Sequence, residues 1–264
     1  MKKYFVIGNP IDHSLSPKLH NYWFKENKID AVYDKKKIYE KDLQFIVSEI
    51  KEKKINGINV TVPFKKGVIP YLDKLSPDAE QTQSVNTIIL SNDTLVGHNT
   101  DVYGFTKAIK NLNFDIENKK IFILGAGGVV SSIIYALIKM NVLEITISNR
   151  TKQKADNLKS QFKTINVIDW GNIPKFDMII NATSLGLKNE SINLNFSNIG
   201  DNKLFYDVIY NPGETNFLKE GKNLGNQSEN GKLMFVHQAS ESFKLWHGVE
   251  PKINTKTLKL LEND

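Results

Sequence analysis

The sequence predicts an α/β protein with two domains, each built around a largely parallel sheet. Short β-branched apolar runs alternate along the chain with segments whose apolar residues recur at helical spacing. Strands separated by helices in this way are typical of βαβ units and parallel sheets. A glycine-rich turn between such a run and such a segment, near the middle of the chain, indicates that a second α/β series lies there.

The first α/β series fills the N-terminal part of the chain. Its helices are indicated by apolar residues that share one face, as Leu19, Tyr22 and Trp23 do. Its strands are apolar runs bounded by polar or turn-forming residues. The predicted strands span 4–8, 31–39, 57–62, 84–90 and 94–98, and the predicted helices span 17–27, 42–53 and 102–111.

The second series starts at Lys119, after a boundary region at 102–118. Gly248 follows its last helix at the position where glycine commonly ends a helix. The predicted strands span 120–124, 144–148, 177–182 and 203–208, and the predicted helices span 129–140, 152–162 and 233–246.

The composition is that of a globular protein, with 40% hydrophobic and 24% charged residues in 264. There are no cysteines, which excludes disulfides, thiol nucleophiles and thiolate metal sites and fits a reducing compartment. The net charge of +6 does not indicate nucleic-acid binding, because the lysines are spread along the chain. A net positive charge also suits an enzyme whose substrate and cofactor are anions.

Two stretches resemble membrane or targeting segments only in part. The residues 121–138 carry no charge, but the turn at Gly125–Gly128 divides them into a strand and a helix, so we expect no membrane span. The apolar run after Lys3 is too short for a signal-peptide core, and we expect a cytoplasmic protein. The five histidines lack the spacing of metal ligands, and no metal site is predicted.

The strand–turn–helix at 121–130 is typical of a dinucleotide-binding turn. Glycines let the backbone approach a pyrophosphate, and the N-terminus of the next helix offers free N–H groups. Val130 stands where the usual pattern has glycine or alanine. By itself the turn is equally compatible with a purely structural role.

The end of the next strand distinguishes between cofactors. An NAD-binding domain usually carries a carboxylate there for the ribose 2′-hydroxyl, whereas this chain has Asn149-Arg150-Thr151 followed by Lys154. A guanidinium is a good partner for a 2′-phosphate. The sequence therefore favours NADP, the alternative being that Arg150 and Lys154 are solvated surface charges.

Polar residues cluster where the strands of the first series end. Asn59 and Thr61 share one face of a predicted strand, and Lys65 follows at its carboxyl edge, where open α/β sheets bind ligands. Asn86 and Asp101 lie at the ends of other elements, and Asp101 is also a candidate cap for the helix that follows it.

Two serines near the first strand add to this set. Ser16 precedes Pro17 and is equally a candidate helix cap or a ligand contact. Ser14 has no such capping role.

Taken in order, these segments resemble the shikimate dehydrogenase family across nearly the whole chain. The resemblance rests on SLSP at 14–17, NVTVPFK at 59–65, VNT at 85–87, NTD at 99–101, GAGG at 125–128, NRT at 149–151, NATS at 181–184, DVIYNP at 207–212 and HQASESF at 237–243.

The resemblance implies a two-domain α/β enzyme that reduces 3-dehydroshikimate to shikimate with NADPH, in the biosynthesis of chorismate and aromatic amino acids. It implies a substrate domain of residues 1–102 plus 238–264 and a Rossmann-type NADP-binding domain of residues 103–237. The oligomeric state stays open between a monomer and a homodimer.

The resemblance also implies roles for individual residues. Lys65 and Asp101 match the catalytic pair, with Lys65 as the firmer proton donor. The substrate-binding positions are Ser14, Ser16, Asn59, Thr61, Lys65, Asn86, Asp101, Tyr210 and Gln238. The cofactor-binding positions are Gly125, Ala126, Gly127, Gly128, Val129, Asn149, Arg150, Thr151, Lys154, Thr183, Val208 and Gly231.

The chain departs from the family pattern at two places, and two other functions are alternatives. Lys232-Leu233 replaces the usual leucine-glycine pair before Met234, and Val129–Ser132 lacks a basic residue that many members carry. The nearest alternative function is a quinate/shikimate dehydrogenase with relaxed cofactor or substrate choice. A catalytically silent ligand-binding regulator is disfavoured because Lys65 and Asp101 are both present.

Overall fold

The structure of the protein is a computed structural model that describes residues 1–262. It forms two compact units. The first contains Met1–Gly104 and the segment from Val236 onward, and the second contains Phe105–Phe235. Both units consist of a sheet with packed helices, which confirms the predicted two-domain α/β class.

Every predicted element of the first unit is present, with boundaries within a few residues of the predicted ones, and the structure adds an unpredicted short strand at Lys74–Leu75 and a short helix at Pro77–Thr82. In chain order the elements are β1 (Lys2–Gly8), α1 (Ser16–Glu26), β2 (Ala31–Lys37), α2 (Leu43–Lys51), β3 (Gly57–Val60), β4 (Lys74–Leu75), α3 (Pro77–Thr82), β5 (Thr87–Ser91), β6 (Thr94–His98) and α4 (Thr100–Lys110). The last helix continues into the second unit.

The sheet of the first unit is mixed rather than wholly parallel. Its strand order is β2-β1-β3-β5-β6-β4, with β1 parallel to both of its neighbours. The strand β5 runs antiparallel to β3 and to β6. Asn92 and Asp93 form the two-residue turn between β5 and β6, with φ of +48° and +57°, and such turns join antiparallel strands.

The second unit contains a fully parallel sheet. Its elements are β7 (Lys120–Leu124), α5 (Val130–Lys139), β8 (Glu144–Ser148), α6 (Lys152–Gln161), β9 (Asn166–Ile168), β10 (Met178–Asn181), β11 (Leu204–Asp207), α7 (Asn216–Asn223) and β12 (Gln227–Asn230). The strand order is β12-β11-β10-β7-β8-β9, and every neighbouring pair is parallel. Read from β7, this is the Rossmann order, with its switch point between β7 and β10.

The C-terminal segment completes the first unit. Helix α8 (Lys232–His247) is followed by the short α9 (Thr255–Lys259). The Trp246 indole of α8 donates a hydrogen bond to the Ile88 carbonyl at 3.2 Å. A Cβ added at Gly57 would lie 2.3 Å from the same indole nitrogen, so glycine is required there for the helix to pack on β3.

The two faces of the first sheet are covered by different cores. On one face, Ile7 and Ile58 pack with Ile46 and Ile50 of α2. On the other, Tyr4 meets Phe24 of α1 and Trp246 of α8, with ring centroids 5.7 Å and 4.8 Å apart. Tyr4 and Ile7, three positions apart on β1, therefore point to opposite faces, as strand geometry requires.

No helix within residues 1–262 is long and apolar enough to cross a membrane. The uncharged stretch at 121–138 is divided into β7 and α5.

A histidine lies inside the aromatic core. The His20 ring is fully buried and stacks on Tyr33, with centroids 4.2 Å apart and planes at 3°. Within residues 1–262, neither ring nitrogen has a hydrogen-bond partner. Burial, with a smaller contribution from the nearby His247, lowers the His20 pKa to about 3.

This histidine should make the protein sensitive to mild acid. The unfolded chain takes up a proton at His20 near pH 6.5 and the folded chain does so only near pH 3, so stability is lost as the pH falls between these values. From pH 7 to pH 5, this one group should remove about 2 kcal/mol from the free energy of unfolding.

The comparison of His20→Phe with the parent protein isolates this effect. Urea unfolding at pH 7 and pH 5 should show a loss of stability that is about 2 kcal/mol smaller in the variant. An equal loss in both proteins would contradict the assignment, whatever the variant does to stability at pH 7.

Candidate active site

A buried ion pair joins two of the predicted site residues. The Lys65 ammonium lies 2.5 Å from the Asp101 carboxylate, and the two side chains are only 13% and 8% exposed. Lys65 lies in the loop after β3, where its carbonyl accepts a hydrogen bond from the Val85 N–H at 2.8 Å. The loop is thus attached to the segment that leads into β5, which fixes where the ammonium can reach.

Asp101 does not cap the helix on which it lies. Helix α4 begins at Thr100, and the Asn99 side-chain oxygen accepts the Asp101 N–H at 3.1 Å. Asn99 therefore fills the N-cap role, and the interpretation of Asp101 as a cap is wrong. Its carboxylate is left to face Lys65 and Asn86.

Asn86 connects this pair to the C-terminal helix. Its amide nitrogen donates to the Asp101 carboxylate at 3.0 Å and lies 3.4 Å from the Gln238 side-chain oxygen. Its amide oxygen accepts the Thr100 N–H at 2.7 Å. The structure thus brings together four predicted site residues: Lys65, Asn86, Asp101 and Gln238.

Asn59 lies beside this group on β3 and is 7% exposed. Its amide oxygen accepts the Tyr33 hydroxyl at 2.6 Å, and its nitrogen lies 2.9 Å from the Thr87 hydroxyl and 3.0 Å from the Ser242 hydroxyl. Thr61 is half-buried just after the same strand. A Cβ added at Gly8 would lie 2.6 Å from the Thr61 methyl, so these neighbouring strand ends are closely packed.

The two serines lie at the start of α1. Ser16 is the first helical residue and Leu15 precedes it at the cap position, so the capping interpretation of Ser16 is wrong. The helix begins one residue earlier than Pro17 suggested. Ser16 is buried, and the Ser14 hydroxyl accepts its N–H at 3.4 Å.

Tyr210 is the one predicted substrate residue that belongs to the second unit. Its ring stacks on Phe235, with centroids 4.6 Å apart. Burial raises the Tyr210 pKa to about 12, so the phenol keeps its proton at neutral pH and can donate a hydrogen bond.

The glycine turn lies where β7 ends, at the switch point of the second sheet. Gly125 has φ of +110°, and a Cβ there would lie 2.7 Å from the Ala182 carbonyl, so the turn needs glycine for both reasons. Gly127 and Gly128 are exposed, and no atom lies within 4 Å of a Cβ added at Gly128. Half-buried Ala126 lies within the turn, and Val129 occupies the cap position of α5.

The end of β8 presents positive charge. The Asn149 amide donates to the Thr151 carbonyl at 2.8 Å, which shapes the loop before α6. Arg150 and Lys154 are exposed, and among residues 1–262 neither takes part in an ion pair. Two unpaired cations beside an open glycine turn fit the phosphates of NADP.

A buried polar network supports the loops that follow β10 and β11. The Asp207 carboxylate accepts hydrogen bonds from the Thr215 hydroxyl at 2.6 Å, the Asn181 amide at 3.1 Å and the Ile209 N–H at 2.9 Å. Burial still raises the pKa of this carboxyl above its ordinary value. Thr183 in turn donates to the Asn181 side-chain oxygen at 2.7 Å.

The last two predicted cofactor residues lie against each other in the same region. A Cβ added at Gly231 would lie 2.1 Å from the Val208 carbonyl, and the Gly231 N–H donates to the Ile209 carbonyl at 3.2 Å. Only glycine permits this approach of backbones.

Several residues that shape these sites were not predicted. They are buried side chains that form hydrogen bonds within the clusters around the predicted residues. They are Tyr33, Thr87, Thr100 and Ser242 in the first unit, and Asn181, Asp207 and Thr215 in the second. The sequence signal available for them was a polar residue inside an otherwise apolar element, as at Thr87 in β5.

Family models match both parts of the chain. The shikimate dehydrogenase substrate binding domain matches residues 6–88, and the model described as shikimate / quinate 5-dehydrogenase matches residues 106–194. A shikimate dehydrogenase (NADP(+)) from Pelagibacter ubique (strain HTCC1062) is 52% identical over 264 residues, covering 99% of this chain and 100% of the relative.

Solved structures agree with this match. The shikimate dehydrogenase of Aquifex aeolicus superposes with a TM-score of 0.90 at 36% identity, covering 100% of this chain and 98% of that one. The shikimate 5-dehydrogenase of Thermus thermophilus, solved with NADP(H) and shikimate, has a TM-score of 0.90 at 28% identity and covers 99% and 98% of the two chains. The family models, the full-length relative and the shared fold together show that this chain belongs to the shikimate dehydrogenase family.

Proposed function

We propose that the chain is an NADP-dependent shikimate dehydrogenase that interconverts 3-dehydroshikimate and shikimate, in chorismate and aromatic amino acid biosynthesis. The observation that carries this proposal is the buried Lys65–Asp101 pair, with the amides of Asn86 and Gln238 beside it. A carbonyl reductase needs a proton source next to polar groups that orient its substrate, and this cluster contains both.

NADPH, when bound, supplies the hydride that reduces the substrate carbonyl. The residues that would hold it are those of the glycine turn, with Arg150 and Lys154 toward the 2′-phosphate. The other proposed cofactor-binding residues are Asn149, Thr151, Thr183, Val208 and Gly231. The exposed backbone of Gly127 and Gly128 supports the assignment, because a pyrophosphate requires close approach to the main chain.

Lys65 is the proposed general acid for reduction and the general base for oxidation. Its ammonium can give a proton to the carbonyl oxygen as negative charge develops there. Asp101 orients that ammonium through the 2.5 Å contact. The carboxylate is itself held by the Asn86 amide, so the pair has a defined geometry before substrate binds.

The remaining substrate-binding assignments are proposals of the same kind. A substrate that carries a carboxylate and ring hydroxyls would be bound by the hydroxyl and amide groups of Ser14, Ser16, Asn59, Thr61, Tyr210 and Gln238. Buried polar groups discriminate well against analogues that leave them unpaired. The substrate domain would comprise residues 1–102 plus 238–264, and the NADP-binding domain residues 103–237.

We further expect a cytoplasmic monomer or homodimer that acts on small molecules and does not bind nucleic acid. The alternative of a quinate/shikimate dehydrogenase with relaxed choice gains no support from the relatives described above, which are named for shikimate.

A spectrophotometric assay tests the proposed function directly. Purified protein should form NADPH from NADP and shikimate, with lower kcat/KM for NAD and for quinate. Absence of NADPH formation with shikimate would refute the proposal, and equal rates with quinate would favour the alternative.

The role of Lys65 predicts a large effect on turnover. Lys65→Ala should lower kcat by about 10²–10⁴, the usual contribution of a general acid. Lys65→Arg should lose a similar factor although it keeps the positive charge, because a guanidinium does not give up its proton. Steady-state kinetics with saturating shikimate measure both effects.

The neighbouring Lys66 provides the matched control. Lys66 is exposed, and Lys66→Ala should keep the parent kcat. If Lys65→Ala raised only the KM for shikimate, Lys65 would be a binding residue and the assignment as general acid would be wrong.

The proposed phosphate contact predicts a change in cofactor choice. Arg150→Ala should lower kcat/KM for NADP by about 10- to 100-fold, the value of a charge-assisted hydrogen bond, and should leave NAD nearly unaffected. The control is Lys159→Ala, which removes an exposed cation from the last turn of α6, the helix that follows Arg150. Equal weakening of NADP and NAD by Arg150→Ala would disprove the contact with the 2′-phosphate.

A further inference from the structure

A single hydroxyl lies at the centre of the buried polar cluster in the first unit. The Ser242 side chain is fully buried on α8. Its oxygen lies 2.8 Å from the Thr87 hydroxyl, 3.2 Å from the Thr100 hydroxyl and 3.0 Å from the Asn59 amide nitrogen. These contacts join three elements of the first unit, β3, β5 and α4, to the C-terminal helix.

The Ser242 hydroxyl uses its only proton in a hydrogen bond within its own helix. Ser242 donates to the Gln238 carbonyl at 3.0 Å, one helical turn earlier. A hydroxyl has one proton and two acceptor sites, so toward the rest of the cluster the Ser242 oxygen acts as an acceptor. Its two acceptor sites take the Asn59 amide hydrogen at 3.0 Å and the Thr87 hydroxyl hydrogen at 2.8 Å. The Thr100 hydroxyl, 3.2 Å from Ser242, donates instead to the Asn86 amide oxygen at 3.1 Å.

The direction of these hydrogen bonds fixes the Asn59 amide. With its proton turned toward Ser242, the Thr87 oxygen accepts from the Asn59 amide nitrogen at 2.9 Å. The Asn59 amide oxygen then faces the Tyr33 hydroxyl. The Asn59 amide is thereby held in one of its two possible orientations, whereas the Asn86 oxygen is fixed by the Thr100 N–H.

Neither the helix nor the core accounts for a serine at this position. Alanine has a higher helix propensity than serine. A buried hydroxyl also has to be removed from water, which alanine avoids. What serine adds is an acceptor for the cluster.

We infer that Ser242 is a positioning residue, whose hydroxyl holds the amide of Asn59 in the orientation that binds substrate. This inference rests on the proposed function, because it assigns to Asn59 the substrate contact proposed above.

Ser242→Ala tests the inference, with Ser240→Ala as the matched control. Ser240 is also buried on α8, but side chains two residues apart on a helix point in different directions. Ser242→Ala should lower kcat/KM for shikimate about tenfold, the usual effect of leaving buried donors unpaired. The KM for NADP should not change, and Ser240→Ala should keep the parent values.

A second background shows whether Ser242 acts through the asparagine. In Asn59→Ala protein, the additional effect of Ser242→Ala on kcat/KM should fall to about twofold or less, because the amide that Ser242 holds is gone. A merely structural role would give the same tenfold loss in both backgrounds, and that result would overturn the inference.

A second variant is available if Ser242→Ala does not fold. Thr87→Val removes the hydroxyl that links Ser242 to Asn59 and should show the same loss of kcat/KM for shikimate with an unchanged KM for NADP.

The failure of the inference can be distinguished from the failure of the proposed function. If the parent protein forms no NADPH from shikimate, the proposed function is wrong. If the parent and Ser240→Ala are active and Ser242→Ala equals them, the function stands and the inference fails.

Discussion

The buried pairing of an ammonium with a carboxylate constrains the whole first unit. Moving either charge out of water costs several kcal/mol, so the pair persists only with good geometry and further hydrogen bonds. Asn86 supplies one of these to Asp101, and Asn99 caps the helix so that the Asp101 carboxylate is free to face Lys65. The loop after β3, the start of β5 and the first turn of α4 must therefore keep fixed relative positions.

A layer of neutral polar groups extends this constraint to the C-terminal helix. Thr87, Thr100 and Ser242 connect Asn59 and Asn86 through contacts of 2.8–3.2 Å. Buried polar groups are costly when unpaired, so a satisfied network of this kind specifies one arrangement. It also explains why the segment from Val236 onward packs with the N-terminal sheet: its polar and aromatic residues complete both the network and the core.

The second unit meets a different requirement, which is to present backbone rather than side chains. Its parallel sheet brings the ends of β7 and β10 together at the switch point, where Gly125 passes against the Ala182 carbonyl. The buried Asp207 holds the neighbouring loops through Asn181 and Thr215. A rigid frame under exposed glycines is what the binding of a pyrophosphate needs.

The sequence by itself determined the α/β class, the main elements and the local chemistry of the site residues, because hydrophobic period, glycine turns and charge are local properties. It did not predict the short strands β4, β9 and β12 or the short helices α3, α7 and α9, and β9 and β12 form strands by pairing with β8 and β11. It predicted the strand β5 but not its antiparallel direction, although Asn92-Asp93 carried the turn signal. Only the tertiary structure decided that Asp101 pairs with Lys65, that Ser16 does not cap its helix, and that Ser242 contacts Asn59. Each of these depends on contacts between residues far apart in the chain, and no local pattern encodes such contacts.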